Sequence, residues 1–247
     1  MPEIINIYEE YDVKKEISHF IKKLWTLNSL PGKPSILNKG ILPNGCFTIA
    51  IIQGNGLYVK QQNQLKHLTE GVYFCGQLTE AIYVDIYPGT KATMIQLFPW
   101  TPAHFGLSNA EIFTDKIVPI GELSVDPVLD LTHMIGLTNA QICRFVTAAF
   151  HSLFRSDANT ALIIESTQMI IASNGDIKVS VIASSLRCSI RYLQKAFKNY
   201  IGIGPKVLLS IIKLRQAVDD IAYPNINSVT MTELALAKVC ICNQNNT

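Results

Sequence analysis

Ser189-Ile-Arg-Tyr-Leu-Gln-Lys-Ala-Phe-Lys-Asn-Tyr200 is the stretch whose reading decides the rest of the chain. Ser189 is a natural N-cap, because its hydroxyl can accept a hydrogen bond from an orphan N–H of the first helical turn. At 3.6 residues per turn, Ile190, Leu193, Phe197 and Tyr200 fall on one side of a helix, and Arg191, Gln194, Lys195 and Lys198 fall on the other. A helix divided in this way buries one stripe and presents long cationic and amide groups on the opposite face. Such groups reach guanine and adenine edges in a major groove, or the phosphates beside it.

The neighbouring residues extend the pattern to a helix-turn-helix. Val179-Ser-Val-Ile-Ala-Ser-Ser-Leu186 predicts a short helix, with Ala183 small enough for a second helix to cross closely. Arg187-Cys188 leaves room for a tight turn before the Ser189 cap. Gly202-Ile-Gly-Pro205 stops the helix, and Pro205 suits the first turn of the next one, which runs over 206–222. From 177 to 218 there are eight basic residues (Lys178, Arg187, Arg191, Lys195, Lys198, Lys206, Lys213 and Arg215) and no acidic one. The whole chain is only +2, so the remainder is acidic on balance. A local positive field of this kind attracts phosphate.

The ordered set Ile182-Ala183, Ser189, Leu193, Phe197-Lys198, Gly202-x-x-Pro205 and Lys213-Leu214-x-x-Ala217 resembles the first half of an AraC-type DNA-binding domain. The resemblance implies a sequence-specific transcription regulator that binds duplex DNA. Arg191, Gln194 and Lys195 match reader positions of that family and lie on the open arc, so they are expected at base edges. Lys198 and Ser189 are expected at phosphate. In the family a second helix-turn-helix follows. Here Thr230-Met-Thr-Glu233 reads as a capping box and Leu234-Ala235 matches the start of the next helix. The turn glycine and aromatic that the family places beyond it are replaced by Val239-Cys240, and the chain ends at Thr247. The expectation is an incomplete domain with one reader, weak DNA binding by the monomer, and self-association through the apolar surplus of helix 206–222.

Composition sets the frame. The chain has 247 residues, long enough for two domains with real cores, and 48% hydrophobic content argues for a folded protein. Met1-Pro-Glu-Ile-Ile-Asn-Ile-Tyr-Glu-Glu10 is acidic and broken by polar residues, unlike a signal peptide. Apolar runs such as 46–52 fall short of a membrane span. A cytoplasmic protein with no membrane partner is expected. Cys46, Cys75, Cys143 and Cys188 are isolated and read as small hydrophobes, and Cys240-Ile-Cys242 has no histidine near it, so no zinc site and no disulfide is expected.

The fold class expected is α+β: a β-rich cupin-like or barrel domain over 1–121, a helical linker over 122–174, and an all-α helix-turn-helix domain over 175–247. Residues 1 to about 35 carry a polar, helix-like pattern and end at the turn Leu30-Pro-Gly-Lys-Pro34. Short runs rich in Ile, Val, Tyr and Phe then predict strands at 46–52, 56–59, 71–74, 81–86 and 92–98, curled into a small sandwich or barrel. Asn55-Gly56 reads as a hairpin turn. Leu42-Pro-Asn-Gly-Cys-Phe47, with the segment from Tyr87-Pro-Gly-Thr to Phe113-Thr-Asp-Lys-Ile-Val-Pro-Ile-Gly-Glu-Leu123, resembles the N-terminal domain of some AraC-type regulators. That resemblance implies a cupin-like sensor or assembly domain, hence a small-molecule effector and a homo-oligomer among the expected partners.

No catalytic constellation stands out, and no enzyme activity or cofactor is expected. His19, His67, His104, His133 and His151 are scattered over different elements, against a metal site. Phe98, Trp100, Phe105, Tyr83 and Tyr87 could line a pocket, but core packing explains them as well. Two bland readings stay open. The helical pair could be an ordinary hairpin with a solvated basic face. The chain could also be a small-molecule-binding or enzymatic β-domain with a basic tail. Salt-dependent binding to duplex DNA separates these from a regulator.

Overall fold

The Phe47-Thr-Ile-Ala-Ile-Ile52 run forms the centre of a β-sheet because nearly every side chain in it can be buried, on whichever face it lies. The structure, a computed structural model, describes residues 6–123, 131–152 and 158–222. Ten strands come first: β1 Asn6–Tyr11, β2 Ile21–Ser29, β3 Ile36–Ile41, β4 Phe47–Gly54, β5 Leu57–Gln61, β6 Gln64–Leu68, β7 Gly71–Cys75, β8 Ile82–Ile86, β9 Thr90–Leu97 and β10 Ile117–Pro119. They form two antiparallel sheets, one of six strands in the order β1-β2-β9-β4-β7-β10 and one of four in the order β3-β8-β5-β6. A short helix, α1 Thr101–His104, lies between β9 and β10, and the longer helices follow: α2 Asn139–Ser152, α3 Ala158–Ala172, α4 Val179–Ser185, α5 Ile190–Tyr200 and α6 Pro205–Ala222. The class is α+β, with the sheets in the N-terminal part and the helices in the C-terminal part.

The larger sheet is covered on both faces. Ala50, Ile52, Ala92 and Met94 point toward the smaller sheet and meet Leu57, Val59, Val84 and Ile86. Ile49, Ile51, Ile95 and Phe74 point the other way, onto Phe20, Phe105, Met134, Ile142 and Phe150. The helical run over 122–174 therefore divides: α2 belongs to the core of the sheet, whereas Ile163 and Ile170 of α3 belong to the core of α4, α5 and α6. Phe98 and Trp100, stacked at 4.6 Å, come from the end of β9 and join that second core.

Two local expectations are corrected. Residues 6–29 build β1, a single 3-10 turn and β2 rather than a longer helix; Lys22 and Lys23 blur the strand alternation of Ile21, Leu24 and Thr26, all of which are buried. Asn55-Gly56 is a corner, because β4 pairs with β7 and β9 while β5 pairs with β6 and β8 in the other sheet. The hairpin lies at Gln62-Asn63, where both residues have positive φ (45° and 63°), as a type I′ turn requires. On α6, Leu208, Leu209 and Ile211 are buried while Val207 and Leu214 are exposed, so part of the apolar surface faces outward, as expected. The β-unit covers some of that surface: a β-carbon at Gly45 would lie 2.9 Å from Leu208 Cδ1, so the loop before β4 rests on α6 and only glycine fits there. The capping box and second helix-turn-helix expected beyond 222, with Cys240 and Cys242, lie outside the described residues.

Candidate nucleic-acid interface

Helix α5 is held from one side only. Leu193 and Phe197 are fully buried, Ala196 nearly so, and they pack with Ile182 and Ala183 of α4 and Leu208, Leu209 and Ile211 of α6. The α4–α5 turn is built from backbone hydrogen bonds. Arg187 N–H donates to Ser184 O at 3.1 Å and Cys188 N–H donates to Ala183 O at 2.9 Å, with Arg187 at φ 51°. Ser189 then caps α5, its Oγ accepting from the Tyr192 N–H at 3.1 Å. At the other end Gly202, at φ 87°, donates its N–H to Phe197 O at 3.0 Å. A β-carbon there would lie 2.8 Å from Ala110 O, so position 202 requires glycine twice over.

The C-terminal end of α5 rests on the β-unit, against the short 3-10 turn Ala110–Phe113. Asn109 N–H donates to Asn199 Oδ1 at 2.9 Å, and Thr114 Oγ1 donates to Gly202 O at 2.8 Å. Lys198 Nζ meets Glu111 Oε1 at 2.5 Å. Tyr192, half exposed, donates its hydroxyl to Asn159 Oδ1 of α3 at 2.6 Å. These contacts leave one open arc.

Arg191, Gln194 and Lys195 are all exposed on that arc. Ser189 is exposed too; its oxygen is engaged in the cap, but its hydroxyl hydrogen remains available to an acceptor. Lys198 shares the arc and is tied to Glu111. The expected buried stripe needs one correction: Ile190 is 44% exposed and Ala196 takes its place. Helical side chains lean toward the N-terminus, so that of the first residue overhangs the helix end instead of packing. Ile190 therefore borders the polar arc, one turn ahead of Gln194.

Pairing redistributes the charge counted in the sequence. Lys213 binds Asp176 at 2.7 Å, and Arg215 reaches Asp219 at 3.4 Å one turn along α6. The Lys213 ammonium holds the Asp176 carboxyl below the usual carboxylate range. Lys178, Arg187, Arg191, Lys195 and Lys206 have no ion-pair partner among the described residues. These unpaired cations thus lie at the start of α4, in the turn, on the first two turns of α5 and at the start of α6.

The β-unit offers less chemistry. Trp100 and Phe105 are buried in different cores, while Tyr83 and Tyr87 lie half exposed on the outer face of the smaller sheet; the five aromatics do not converge. A cavity of about 20 Å³ lies between the larger sheet and the segment after β9, lined by Ile49, Phe74, Leu97, Phe105, Leu107 and Ile120 among other apolar groups. That volume is close to one water, and a dry apolar lining gives a water no partners. Burial pushes the Cys75 thiol up to about 12, far from a thiolate nucleophile. Among the described residues no three His, Cys, Asp or Glu side chains are grouped to hold a metal ion, and no helix is long and apolar enough to cross a membrane.

Comparison with known proteins adds the following. Residues 9–119 match the sequence family described as a domain of unknown function, DUF6597. No curated protein matches the chain. Among solved structures, the AraC-like transcriptional activator CuxR is 12% identical, with 93% of this chain and 90% of that one covered at a TM-score of 0.33. ToxT from Vibrio cholerae is 8% identical, with 92% and 88% covered at 0.43. The Cupin_2 domain of an XRE family transcriptional regulator from Enterobacter cloacae is 11% identical, covering 37% of this chain and 95% of that one at 0.28. At such scores these are loose likenesses, and the functional reading rests on the site itself.

Proposed function

We propose that this chain is a DNA-binding transcription regulator of the AraC type, reading the major groove with α5. One observation carries the reading. Within a single helix, Leu193 and Phe197 are wholly buried while Arg191, Gln194 and Lys195 stand exposed with no acidic residue from 177 to 218 to neutralise them. A merely solvated basic face does not require a capped helix docked behind a short crossing helix, with its N-terminal turns left open. That arrangement is the geometry by which a recognition helix enters a groove. Arg191 suits the O6/N7 pair of guanine, Gln194 suits adenine, and Lys195 reaches a guanine or a neighbouring phosphate. Ser189 and Lys198 flank them as phosphate contacts. The N-terminal unit, with its filled inter-sheet core, is read as the part that positions the reader and pairs copies of the chain.

The test is selection of duplexes from a random pool by the full chain, followed by a salt titration on the selected site. A selected consensus, with log K falling linearly against log salt, is the expected result. Binding that is uniform over all duplexes would reduce the chain to a basic hairpin.

A further inference from the structure

We infer that Arg187, in the α4–α5 turn, is a phosphate anchor that fixes the register of α5 on DNA; this rests on the reading above, that α5 faces a duplex. The backbone at position 187 is left-handed, at φ 51°, a conformation that crowds any residue bearing a β-carbon. The turn imposes it, since the Cys188 N–H must reach Ala183 O. Glycine would satisfy that demand at no steric cost. The chain itself follows this rule elsewhere: nine of its described glycines have positive φ, and of seven other such residues five are Asn or Asp. The sixth, Gln62, sits in the β5–β6 hairpin; only Arg187 puts a cation in this conformation.

Nothing among the described residues accounts for the arginine. Its side chain is exposed, so it fills no core. No carboxylate pairs with it among the described residues. It lies two residues ahead of the Ser189 cap, at the end of α5 that points into the groove, and so next to the backbone strand that the helix passes on entry. Lys178, the N-cap residue of α4, stands exposed and unpaired in the same unit, extending the positive surface to the first helix. A guanidinium at such a place grips two phosphate oxygens at once, which a lysine cannot do. The strained backbone is thus retained for the side chain it carries.

The experiment compares the full chain with Arg187→Gly and Arg187→Lys on a duplex selected by the unaltered protein, alongside thermal unfolding. For Arg187→Gly the unfolding midpoint should stay level or rise. Affinity should drop a few-fold on every duplex alike, and the magnitude of the log K–log salt slope should decrease by about 0.9, one phosphate. Arg187→Lys should recover most of that slope. Unchanged affinity and slope in Arg187→Gly would overturn the anchor, as would a lowered midpoint, which would make the arginine structural. A loss confined to one base position would also overturn it, by moving the contact from phosphate to base. If the unaltered chain selects no duplex and shows no salt-dependent binding, the DNA reading itself fails and the anchor with it, a result visible before any variant is made.

Discussion

The two halves of this molecule handle apolar side chains in opposite ways. In the β-unit the central strand β4 is buried on both faces, with Phe47, Ile51 and Ile52 fully inaccessible. In α5 the fully buried Leu193 and Phe197 lie within a turn of exposed Arg191 and Gln194. A strand covered on two sides has its side chains committed to packing. A helix covered on one side keeps a face for a partner. That difference, more than any single residue, is why the proposed reading face is assigned to the smaller, C-terminal half.

The sharpest way to break the comparison is to remove the buried side of α5. Phe197→Ala should cost about 3–5 kcal/mol, because the cavity would open at the meeting point of α4, α5 and α6. Chemical denaturation followed by helix content, with DNA binding measured in parallel, checks this. A C-terminal unit that unfolds as before would show that Phe197 is not its keystone.

On the open side the expected effects are smaller and of another kind. Arg191→Ala and Gln194→Ala should each cost about 1–3 kcal/mol of binding to a selected site and relax preference at one base position, with stability unchanged. Tyr83→Ala, on the exposed outer face of the smaller sheet, serves as the control from the other half and should leave DNA binding as it was. Equal losses from all three variants would erase the distinction between the halves.

How much of this was legible in the sequence follows the same division. The α4–α5–α6 unit was readable because its information is local: a cap at Ser189, a 3.6-residue stripe, a stop at Gly202 and Pro205. The strands with continuous apolar runs were readable too. The edge strand β6, Gln-Leu-Lys-His-Leu, was not, since four of its five side chains are exposed and no apolar alternation marks it, nor was the lysine-interrupted β2, whose partner β9 lies far along the chain. The open arc was visible as residues, but not its limits. Glu111 and Asn109 stand 87 and 90 residues from their partners on α5, and no periodicity announces such a contact. Nor did the sequence show Ile190 as exposed or Arg187 as left-handed; both depend on how the helix ends are set by tertiary packing.

Charge pairs sharpen the comparison further, through pH. Asp85 lies buried in the smaller sheet, hydrogen-bonded to Lys60 Nζ at 2.7 Å and to the Asn38 N–H at 2.6 Å, and these hold its carboxyl below the usual range. Unfolded, the same group titrates at about 3.9. Between the two values the unfolded chain binds more protons, so this contribution is present above about pH 4 and is lost as pH falls through the lower folded value. Asp85→Asn should therefore lower stability at neutral pH and flatten the acid limb of unfolding. Asp176→Asn, in the other half, removes an exposed partner of Lys213 and should change the neutral midpoint far less. Equal shifts in the two variants would mean that burial does not separate these pairs.

The smallest expected effect lies where the halves meet. Lys198 and Glu111 are 57% and 51% exposed, and a pair that open contributes about 0–1 kcal/mol to stability. Its consequence for binding is larger than for folding, because a DNA phosphate competes with the Glu111 carboxylate for the same ammonium. Glu111→Gln should leave the unfolding midpoint within a degree or two of the original, about what so weak a pair can move. It should raise DNA affinity by no more than about tenfold, the limit of one surface charge contact. The gain should vanish in a Lys198→Gln background if it comes from freeing that ammonium. Measuring both variants and their combination on one selected duplex, at about 0.15 M salt to screen distant charges, isolates the pair from charges elsewhere on the molecule. An equal gain with and without Lys198 would show that Glu111 repels DNA on its own account. The contact at 109–114 would then hold α5 in place without touching its reading face.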